Sequence, residues 1–344
     1  MTSIERFIRT AEFKTVDRPA LWLGIPDTAS QQALLDYFGV RDLHELKSTI
    51  GDDFYAIELP YHNKDAHAIY AAFDWYGNGA VDTVHRTLTA DGCFKDAQTI
   101  EDIEKFDWPD PAEGIDPKAC RMLAAAAPKD KAVLGVLWSA HFQDACAAFG
   151  METAMVNMLI EPELYEAVNR KILDFYLKAN EIFYKATQGL VHAVLIGNDF
   201  GSQNALMLSR EMIQQFVIPG CKELVAQAKS YGLKVIYHSC GAISDIIPDL
   251  IEAGVDIVHP MQVLATGMQP ERLKQRFGRD IAFCGGVDTQ DLLVRGTPQD
   301  VYHAVKQLRA LYPTGLIISP SHEAILPDIH PENIKAMLDA ARER

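Results

Sequence analysis

The sequence has no apolar run long enough to cross a bilayer, and its first residues lack the apolar core of a secretory signal. Its six cysteines are scattered over 344 residues, which favours reduced thiols over a disulfide framework. Lys and Arg total 32 against 47 Asp and Glu, and the resulting net charge of −15 disfavours nucleic acid and anionic membranes as partners. These absences predict a cytoplasmic protein that binds neither nucleic acid nor membrane.

The chain is instead rich in short apolar runs, and 48% of its residues are hydrophobic. Near-continuous apolar strands are typical of a parallel sheet that is covered on both faces. Each run is followed by a helical pattern, which predicts an α/β fold: a single (β/α)8 barrel, also called a TIM barrel, over residues 1–344. A doubly wound open sheet is the alternative, but no Gly-rich phosphate-binding motif follows the first run. The eight runs are 20–24, 54–60, 132–138, 193–200, 234–240, 255–261, 281–288 and 315–322.

Two helices and one insertion have clear local signals. Ser209 is a candidate N-cap for a helix that ends at Gly232, and Thr297 followed by Pro298 predicts the start of another. Residues 61–131 contain several glycines and aromatic residues before the third run. We expect this region to be an antiparallel excursion or a long loop, in a position that is typical of lids.

Polar residues follow the last five runs at the points where the predicted strands end. In a (β/α)8 barrel the C-terminal ends of the strands face the active site, so this coincidence predicts an enzyme. The residues are Asn198, Asp199, Ser202 and Gln203; His238, Ser239 and Cys240; His259, Met261 and Gln262; Cys284, Asp288 and Gln290; and Ser319, Ser321, His322 and Glu323.

His238 and Cys240 are the strongest candidates for a metal site. Residues i and i+2 of a strand point to the same side, so both side chains can reach one ion. A thiolate and an imidazole together suit zinc. We expect His322 to be the third ligand, with Cys284 and Glu323 as alternatives. The competing interpretation is a buried His–Cys pair that holds no metal.

The other polar candidates have structural alternatives. Asp199 follows a strand and either orients a substrate or a metal-bound histidine, or caps a turn. Asp288 follows two glycines, and capping is its alternative role. His141, just beyond the third run, is either structural or substrate-facing. We therefore predict Asp199, His238 and His322 as catalytic residues, and as substrate-binding residues Asn198, Gln203, Gln262, Asp288 and His141.

The chain also resembles a known family along nearly its whole length. The matching stretches include "GNDFGSQNALMLSREMIQQFVIP", "YHSCGAISDIIPDLIEAGVDIVHPMQ" and "SPSHEAILPDIHPENI". They are similar to the uroporphyrinogen decarboxylase (URO-D) superfamily, which also includes corrinoid-dependent methyltransferases. The resemblance implies a (β/α)8 barrel with its site at the C-terminal mouth, and homodimers occur among such proteins.

The two branches of the superfamily differ at their motifs. The decarboxylases carry an Arg-Gln-Ala-Gly-Arg stretch, whereas this chain has "GIPDTASQQ" after its first run; Asp52 and Asp53 are the nearest candidates for their essential aspartate. The methyltransferases hold zinc with a His-x-Cys pair and a later cysteine. His238 and Cys240 match the pair, and "ISPSHEAIL" places His322 near the position of the later cysteine.

The methyltransferase resemblance implies a zinc-dependent methyltransferase or demethylase. It would transfer a methyl group between a small O-, N- or S-methylated compound and a corrinoid. We expect the corrinoid to arrive on a partner protein, because the chain has no cobalamin-binding "DxHxxG" pattern. Two alternatives remain: a metal-free decarboxylase that uses a carboxylate such as Asp199, and a barrel that binds a ligand without catalysis.

Overall fold

The computed structural model describes residues 1–63, 66–75 and 90–343, and its strands form a nearly closed barrel. Eight parallel strands pair in the order β1-β9-β8-β7-β6-β5-β4-β3, and the short strands β2 and β10 pair separately. The backbone N–H of Asp53 donates to the carbonyl of Leu21 over 2.9 Å and so joins the two ends of the sheet. The (β/α)8 barrel predicted from the sequence is confirmed. The strands are β1 (Ala20–Leu21), β2 (Ile25–Pro26), β3 (Phe54–Glu58), β4 (Ala132–Trp138), β5 (Ala193–Gly197), β6 (Lys234–His238), β7 (Ile257–Met261), β8 (Ala282–Val287), β9 (Leu316–Pro320) and β10 (Ala324–Ile325).

Helices surround the strands, and none of those described is both long and apolar enough to pass through a membrane. They are α1 (Ser3–Ala11), α2 (Thr28–Phe38), α3 (Leu43–Ile50), α4 (Ile100–Glu104), α5 (Pro111–Gly114), α6 (Pro117–Ala125), α7 (His141–Phe149), α8 (Met151–Ile160), α9 (Pro162–Ala186), α10 (Arg210–Phe216), α11 (Ile218–Ser230), α12 (Ile247–Glu252), α13 (Pro270–Phe277), α14 (Leu292–Arg295), α15 (Pro298–Leu311) and α16 (Pro331–Arg342).

The predicted starts of two helices are correct, but one predicted helix is interrupted in its interior. Thr297 caps α15 in a reciprocal capping box with Asp300, and Ser209 caps α10. The single helix predicted from Ser209 to Gly232 is instead two helices that meet at Val217. Pro219 lies in the first turn of α11, where a backbone N–H is not needed for the helix. In the interior of a longer helix the same proline would remove a hydrogen bond, and the chain therefore forms two helices.

The core has two parts, because both faces of each strand are buried. Inside the barrel lies a compact cluster that includes Trp22, Leu195, Ile236, Cys284 and Ile317. A larger cluster fills the space between the strands and the helices. Burial on both faces explains why the strands appear in the sequence as continuous apolar runs and not as alternating ones.

The described part of the 61–131 region consists of short helical segments and connecting loops. It contains a 3-10 turn at Ile69–Ala71 and the helices α4 to α6, and no strand occurs among its described residues, so the antiparallel alternative is not seen there. Phe73 stacks on Trp75 with ring centroids 4.6 Å apart, and Phe73 also packs on Phe175 of α9 at 4.7 Å. These contacts anchor the region to the barrel's outer helices. Residues 64–65 and 76–89, which include part of the predicted lid, lie outside the described residues.

The two candidate decarboxylase aspartates lie at the wrong end of the barrel for catalysis. Asp52 and Asp53 directly precede β3, at the N-terminal end of the strands. The carboxylate of Asp53 is fully buried and accepts hydrogen bonds from Arg6 (2.6 Å), Arg18 (2.8 Å) and the N–H of Leu21 (2.8 Å). This network closes the base of the barrel, which corrects the suggestion of a catalytic role.

Two other predicted substrate-binding residues cap helices instead. Asn198 is fully buried, and its Oδ1 accepts a hydrogen bond from the N–H of Phe142 (2.9 Å) at the start of α7. The carboxylate of Asp288 accepts from the N–H groups of Asp291 (2.7 Å) and Leu292 (2.8 Å) at the start of α14. Free N–H groups at a helix start need such acceptors. The capping alternative therefore describes Asp288, and neither side chain is available to a substrate.

His141 is also architectural. Its ring is fully buried, and its Nδ1 lies 2.9 Å from Oδ1 of Asn169 on α9. The ring packs so closely on Gly220 of α11 that a Cβ there would lie 2.7 Å from it. Burial lowers the pKa of His141 to about 4, outweighing the contact with Asn169, which raises it. His141 thus joins three helices, which agrees with the structural alternative for this residue.

We expect Asp53→Asn to lower the free energy of unfolding by about 3 kcal/mol, because it leaves one buried and one partly buried guanidinium group without their shared carboxylate. Urea unfolding of the two proteins measures the difference. The control is Glu181→Gln, which removes an exposed ion pair with Lys185 and should change little. Equal effects of the two substitutions would contradict a structural role for Asp53.

We expect acid to destabilise the protein partly through His141. Its pKa is about 6.5 in an unfolded chain and about 4 in the folded one, so its contribution is complete above pH 6.5 and is lost as the pH falls towards 4. Between pH 7 and pH 5 the wild type should lose about 2 kcal/mol more than His141→Gln does. Urea titrations at both pH values, with the exposed His303→Gln as control, test this; parallel losses in wild type and His141→Gln would refute it.

Candidate active site

Five side chains converge at the C-terminal mouth of the barrel. Gly197 of β5 lies opposite His238 of β6, so the residues that follow these strands are neighbours. Nε2 of His238 lies 3.3 Å from Oδ1 of Asp199 and 3.5 Å from Sγ of Cys240. The thiol and the imidazole therefore face the same space, as their i, i+2 spacing on a strand requires.

The segment after β9 completes this cluster from across the mouth. Oε2 of Glu323 lies 3.7 Å from Nδ1 of His238 and 3.5 Å from Nδ1 of His322. The rings of His238 and His322 are nearly perpendicular, with centroids 6.5 Å apart. His322 thus lies beside the His238–Cys240 pair and not on the far side of the cavity. We call Asp199, His238, Cys240, His322 and Glu323 the mouth cluster.

The electrostatics of the mouth cluster are those of close, partly buried charges. Burial alone would lower the pKa of His238, but Glu323 and Asp199 outweigh it and raise the pKa well above its ordinary value. Burial would raise the pKa of Asp199, but the contact with His238 outweighs it and lowers the pKa to about 2. The hydrogen bond with Cys240 raises the pKa of His322. Without a metal ion, the ionised carboxylate of Asp199 therefore lies against the protonated imidazole of His238.

Backbone hydrogen bonds hold the mouth cluster in place. Oδ1 of Asp199 accepts from the N–H of Cys240 over 2.8 Å, and the N–H of Asp199 donates to Oε1 of Gln143 over 2.9 Å. The next residue, Gly241, has a φ of +87°, and a Cβ there would lie 2.5 Å from the backbone of Gly201. Only glycine fits this turn, which directs Cys240 towards the mouth.

His259 is a neighbour that the sequence prediction included among the strand-end residues but not in the site. Its Nδ1 lies 2.9 Å from Nδ1 of His238, and its ring is fully buried against Trp22. Burial lowers the pKa of His259 well below its ordinary value, so the ring is neutral. A neutral ring bonded to Nδ1 of His238 leaves Nε2 of His238 directed at Cys240.

A cavity of about 370 Å³ opens beside the mouth cluster. Asp199, His238 and Glu323 form one side of it, and its other described residues include Tyr70, Trp138, Gln143, Asp144 and Tyr176. The sequence prediction of site residues did not include them, because they end β4 or lie on helices and loops that are distant in sequence from β5 to β9.

Trp138 is the most distinctive residue of the cavity wall. Its ring meets His238 edge-on at 5.3 Å. Trp138 and Ser139 both have positive φ values, 56° and 54°, at the end of β4, where the register with β5 shifts. Such strained backbone is rare outside glycine and clusters at functional sites.

The donor atoms of the mouth cluster and of its neighbour His259 are of the types that zinc binds. Three overlapping sets each keep their donor atoms within 4.8 Å of one another: Asp199, His238 and Cys240; His238, His259 and Glu323; and Cys240, His322 and Glu323. Ligands of a tetrahedral zinc ion lie roughly 3.5 Å apart, so small movements suffice. Oε2 of Glu323 is buried and has no hydrogen-bond partner among the described residues, which is the state of a ligand atom.

The other candidate ligand, Cys284, does not belong to the mouth cluster. It is fully buried in the cluster inside the barrel, and it is in none of the donor sets found in the described part of the chain. Burial strongly raises the pKa of its thiol. Gln203 and Gln262 do lie near the cluster, with Oε1 of Gln262 accepting from the N–H of Gly241 over 2.8 Å.

Comparison with known proteins agrees with this architecture. A curated relative, the methylated-thiol--coenzyme M methyltransferase of Methanosarcina mazei, is 25% identical over 209 residues, which is 60% of this chain. The match spans 52% of that relative, so this chain covers about half of its length. A solved structure, a methyltransferase from Methanosarcina mazei, superposes with a TM-score of 0.71 over 99% of this chain and 98% of the other, at 17% identity, and so shares the fold. Residues 93–344 match the family described as Uroporphyrinogen decarboxylase (URO-D), and the chain belongs to that family.

Proposed function

We propose that the chain is a zinc-dependent methyltransferase. It transfers a methyl group between a small O-, N- or S-methylated compound and a corrinoid that a separate protein carries. The observation that carries this proposal is the convergence of a thiol, two imidazoles and two carboxylates at the barrel mouth. The curated methyltransferase relative supports the same reaction class, although its match covers only about half of that protein.

The proposed zinc ligands are His238, Cys240 and His322; Cys240 shares a donor set with each histidine, whereas no single set found among the described residues holds both histidines. They supply two imidazole nitrogens and a thiolate, and three protein ligands leave a position for a substrate heteroatom. Zinc bound there supplies Lewis-acid chemistry, which lowers the pKa of a thiol or stabilises a leaving alkoxide. Glu323 lies beside both imidazoles, and its buried carboxylate balances the positive charge that they face.

The other residues of the site position the reacting groups. Asp199 accepts from the N–H of Cys240 and contacts His238, so one carboxylate sets the position of both proposed ligands. Gln143 in turn holds the backbone of Asp199. The rings of Trp138 and Tyr176 line the cavity beside them and offer apolar surface to a methyl group. Such fixed positions lower the entropic cost of aligning a methyl transfer.

A metal-free decarboxylase is the rival assignment for this family. Catalysis would then come from a carboxylate such as Asp199 that stabilises a cationic intermediate. Asp52 and Asp53 give that assignment no support, because they stabilise the opposite end of the barrel. The rival requires that His238→Ala and Cys240→Ala retain activity.

We expect purified wild type to contain about one zinc ion per chain and Cys240→Ser to contain much less, because a hydroxyl replaces the thiolate ligand. Elemental analysis measures the metal. Methyl release from dimethyl sulfide, mixed with enzyme and a reduced corrinoid protein, measures activity, and both should fall together in Cys240→Ser. Cys93→Ser, at an exposed cysteine outside the mouth cluster, is the control. Zinc-free wild type, or full activity in Cys240→Ser, would exclude the proposal.

We expect Asp199→Asn to weaken zinc binding ten- to a hundredfold, because it removes the charged partner of His238 while keeping the size of the side chain. Competition with a chromogenic chelator measures the affinity, and urea unfolding reports whether the fold is retained. Asp245→Asn changes an exposed carboxylate near Arg276 and should leave zinc affinity unchanged. Unchanged affinity in a folded Asp199→Asn would show that Asp199 does not support the metal.

A further inference from the structure

A second, smaller cavity of about 180 Å³ adjoins the mouth cluster through His322. The larger cavity contacts the cluster through Asp199, His238 and Glu323, so the two cavities meet the cluster at different residues. The smaller one lies between the segments that follow β7, β8 and β9, at the same mouth of the barrel. Its volume is sufficient for a group of a few non-hydrogen atoms.

The walls of the smaller cavity differ in chemistry. Gln262, Thr289, Gln290 and Ser321 supply amides and hydroxyls, whereas Ala324, Leu326 and Ile329 supply an apolar surface. Apart from His322, the described residues that line it carry no ionisable group. A lining of this kind suits a ligand that is uncharged, with a polar end and an apolar stem.

The polar wall is organised before any ligand binds. Oε1 of Gln203 accepts hydrogen bonds from Nε2 of Gln262 (3.0 Å) and Nε2 of Gln290 (3.4 Å). Oε1 of Gln262 is held by the N–H of Gly241 (2.8 Å). The side-chain amides of Gln262 and Gln290 each keep a second N–H. Oε1 of Gln290 bonds to none of the described residues. The wall therefore presents both donors and an acceptor, with Gln262 held from two sides and Gln290 exposed at the rim.

We propose that this cavity is a subsite for a carboxamide end group of the methylated substrate, an inference that rests on the proposed function. The stem of the substrate lies on Leu326 and Ile329, and its reacting heteroatom lies at the mouth cluster. A carboxamide satisfies donors and acceptors together. With His322 engaged by zinc, a carboxylate would lose hydration and gain no other cationic side chain among the lining residues described, and an apolar end would leave the amides unpaired.

Three ligands of matched shape test the subsite on zinc-loaded wild type: 3-(methylthio)propanamide, 3-(methylthio)propanoate and isopentyl methyl sulfide. They share the methylthio group and differ only in an end group that is neutral and polar, anionic or apolar. Isothermal titration calorimetry should show the amide binding on the order of tenfold more tightly than either analogue. Equal affinities, or tighter binding of the carboxylate or the apolar sulfide, would overturn the subsite.

Substitution of Gln290 tests whether the preference arises at this wall. Gln290→Leu should remove most of the preference for the amide over isopentyl methyl sulfide, because the new side chain neither donates nor accepts. Gln299→Leu is the matched control, since Gln299 is exposed on α15 and bonds to His303. A preference that persists in Gln290→Leu would also overturn the subsite. Zinc content and methyl transfer of the wild type report separately on the proposed function, so the two proposals fail by different measurements.

Discussion

Closure of the parallel sheet is the constraint on which the site depends. The chain's first and third strands meet at the two ends of the sheet, joined by the hydrogen bond from Asp53 to Leu21, and β9 lies next to β1. Closure turns a row of strand ends into a ring, so Glu323 after β9 reaches His238 at the end of β6. In an open sheet these two strand ends would be separated by β7 and β8. The buried carboxylate of Asp53 at one end of the barrel thus supports the geometry of the mouth at the other.

The mouth cluster concentrates charge where the barrel would otherwise be apolar. Asp199 and Glu323 stabilise protonated imidazoles in the absence of a metal ion, and both carboxylates and both imidazoles would be costly to bury alone. A bound cation would take the place of the imidazole protons opposite the carboxylates, since metal ligands must lose their protons to bind. The buried oxygen of Glu323, which makes no hydrogen bond to the described residues, and the strained backbone at Trp138 are two features that packing alone does not explain. Both lie at the same mouth, which is why chemistry is assigned there.

Several strand-end residues that resemble site residues in sequence serve the scaffold instead. Asn198 and Asp288 satisfy the free N–H groups of the helices that begin beside them, and His141 fills the space between three helices. Residues of the same type serve the scaffold and the site, because the buried N–H and C=O groups of a loop at a strand end need hydrogen-bond partners of their own. Gln262 does both, since its Oε1 accepts from the N–H of Gly241 and its side chain lines the smaller cavity.

The sequence alone determined the architecture and part of the site. Continuous apolar runs identified all eight barrel strands, since a strand buried on both faces has no polar alternation, and the i, i+2 spacing placed Cys240 on the same side as His238. Local capping signals located the starts of α10 and α15, because the residues that interact at a helix start are close together in the chain. Only the tertiary structure decided that His322 and Glu323, and not Cys284, complete the cluster, and that Trp138, Gln143 and Tyr176 form the adjacent cavity. Those contacts join residues far apart in the chain, and their distances depend on the closure of the barrel and the packing of its helices, which no local pattern encodes.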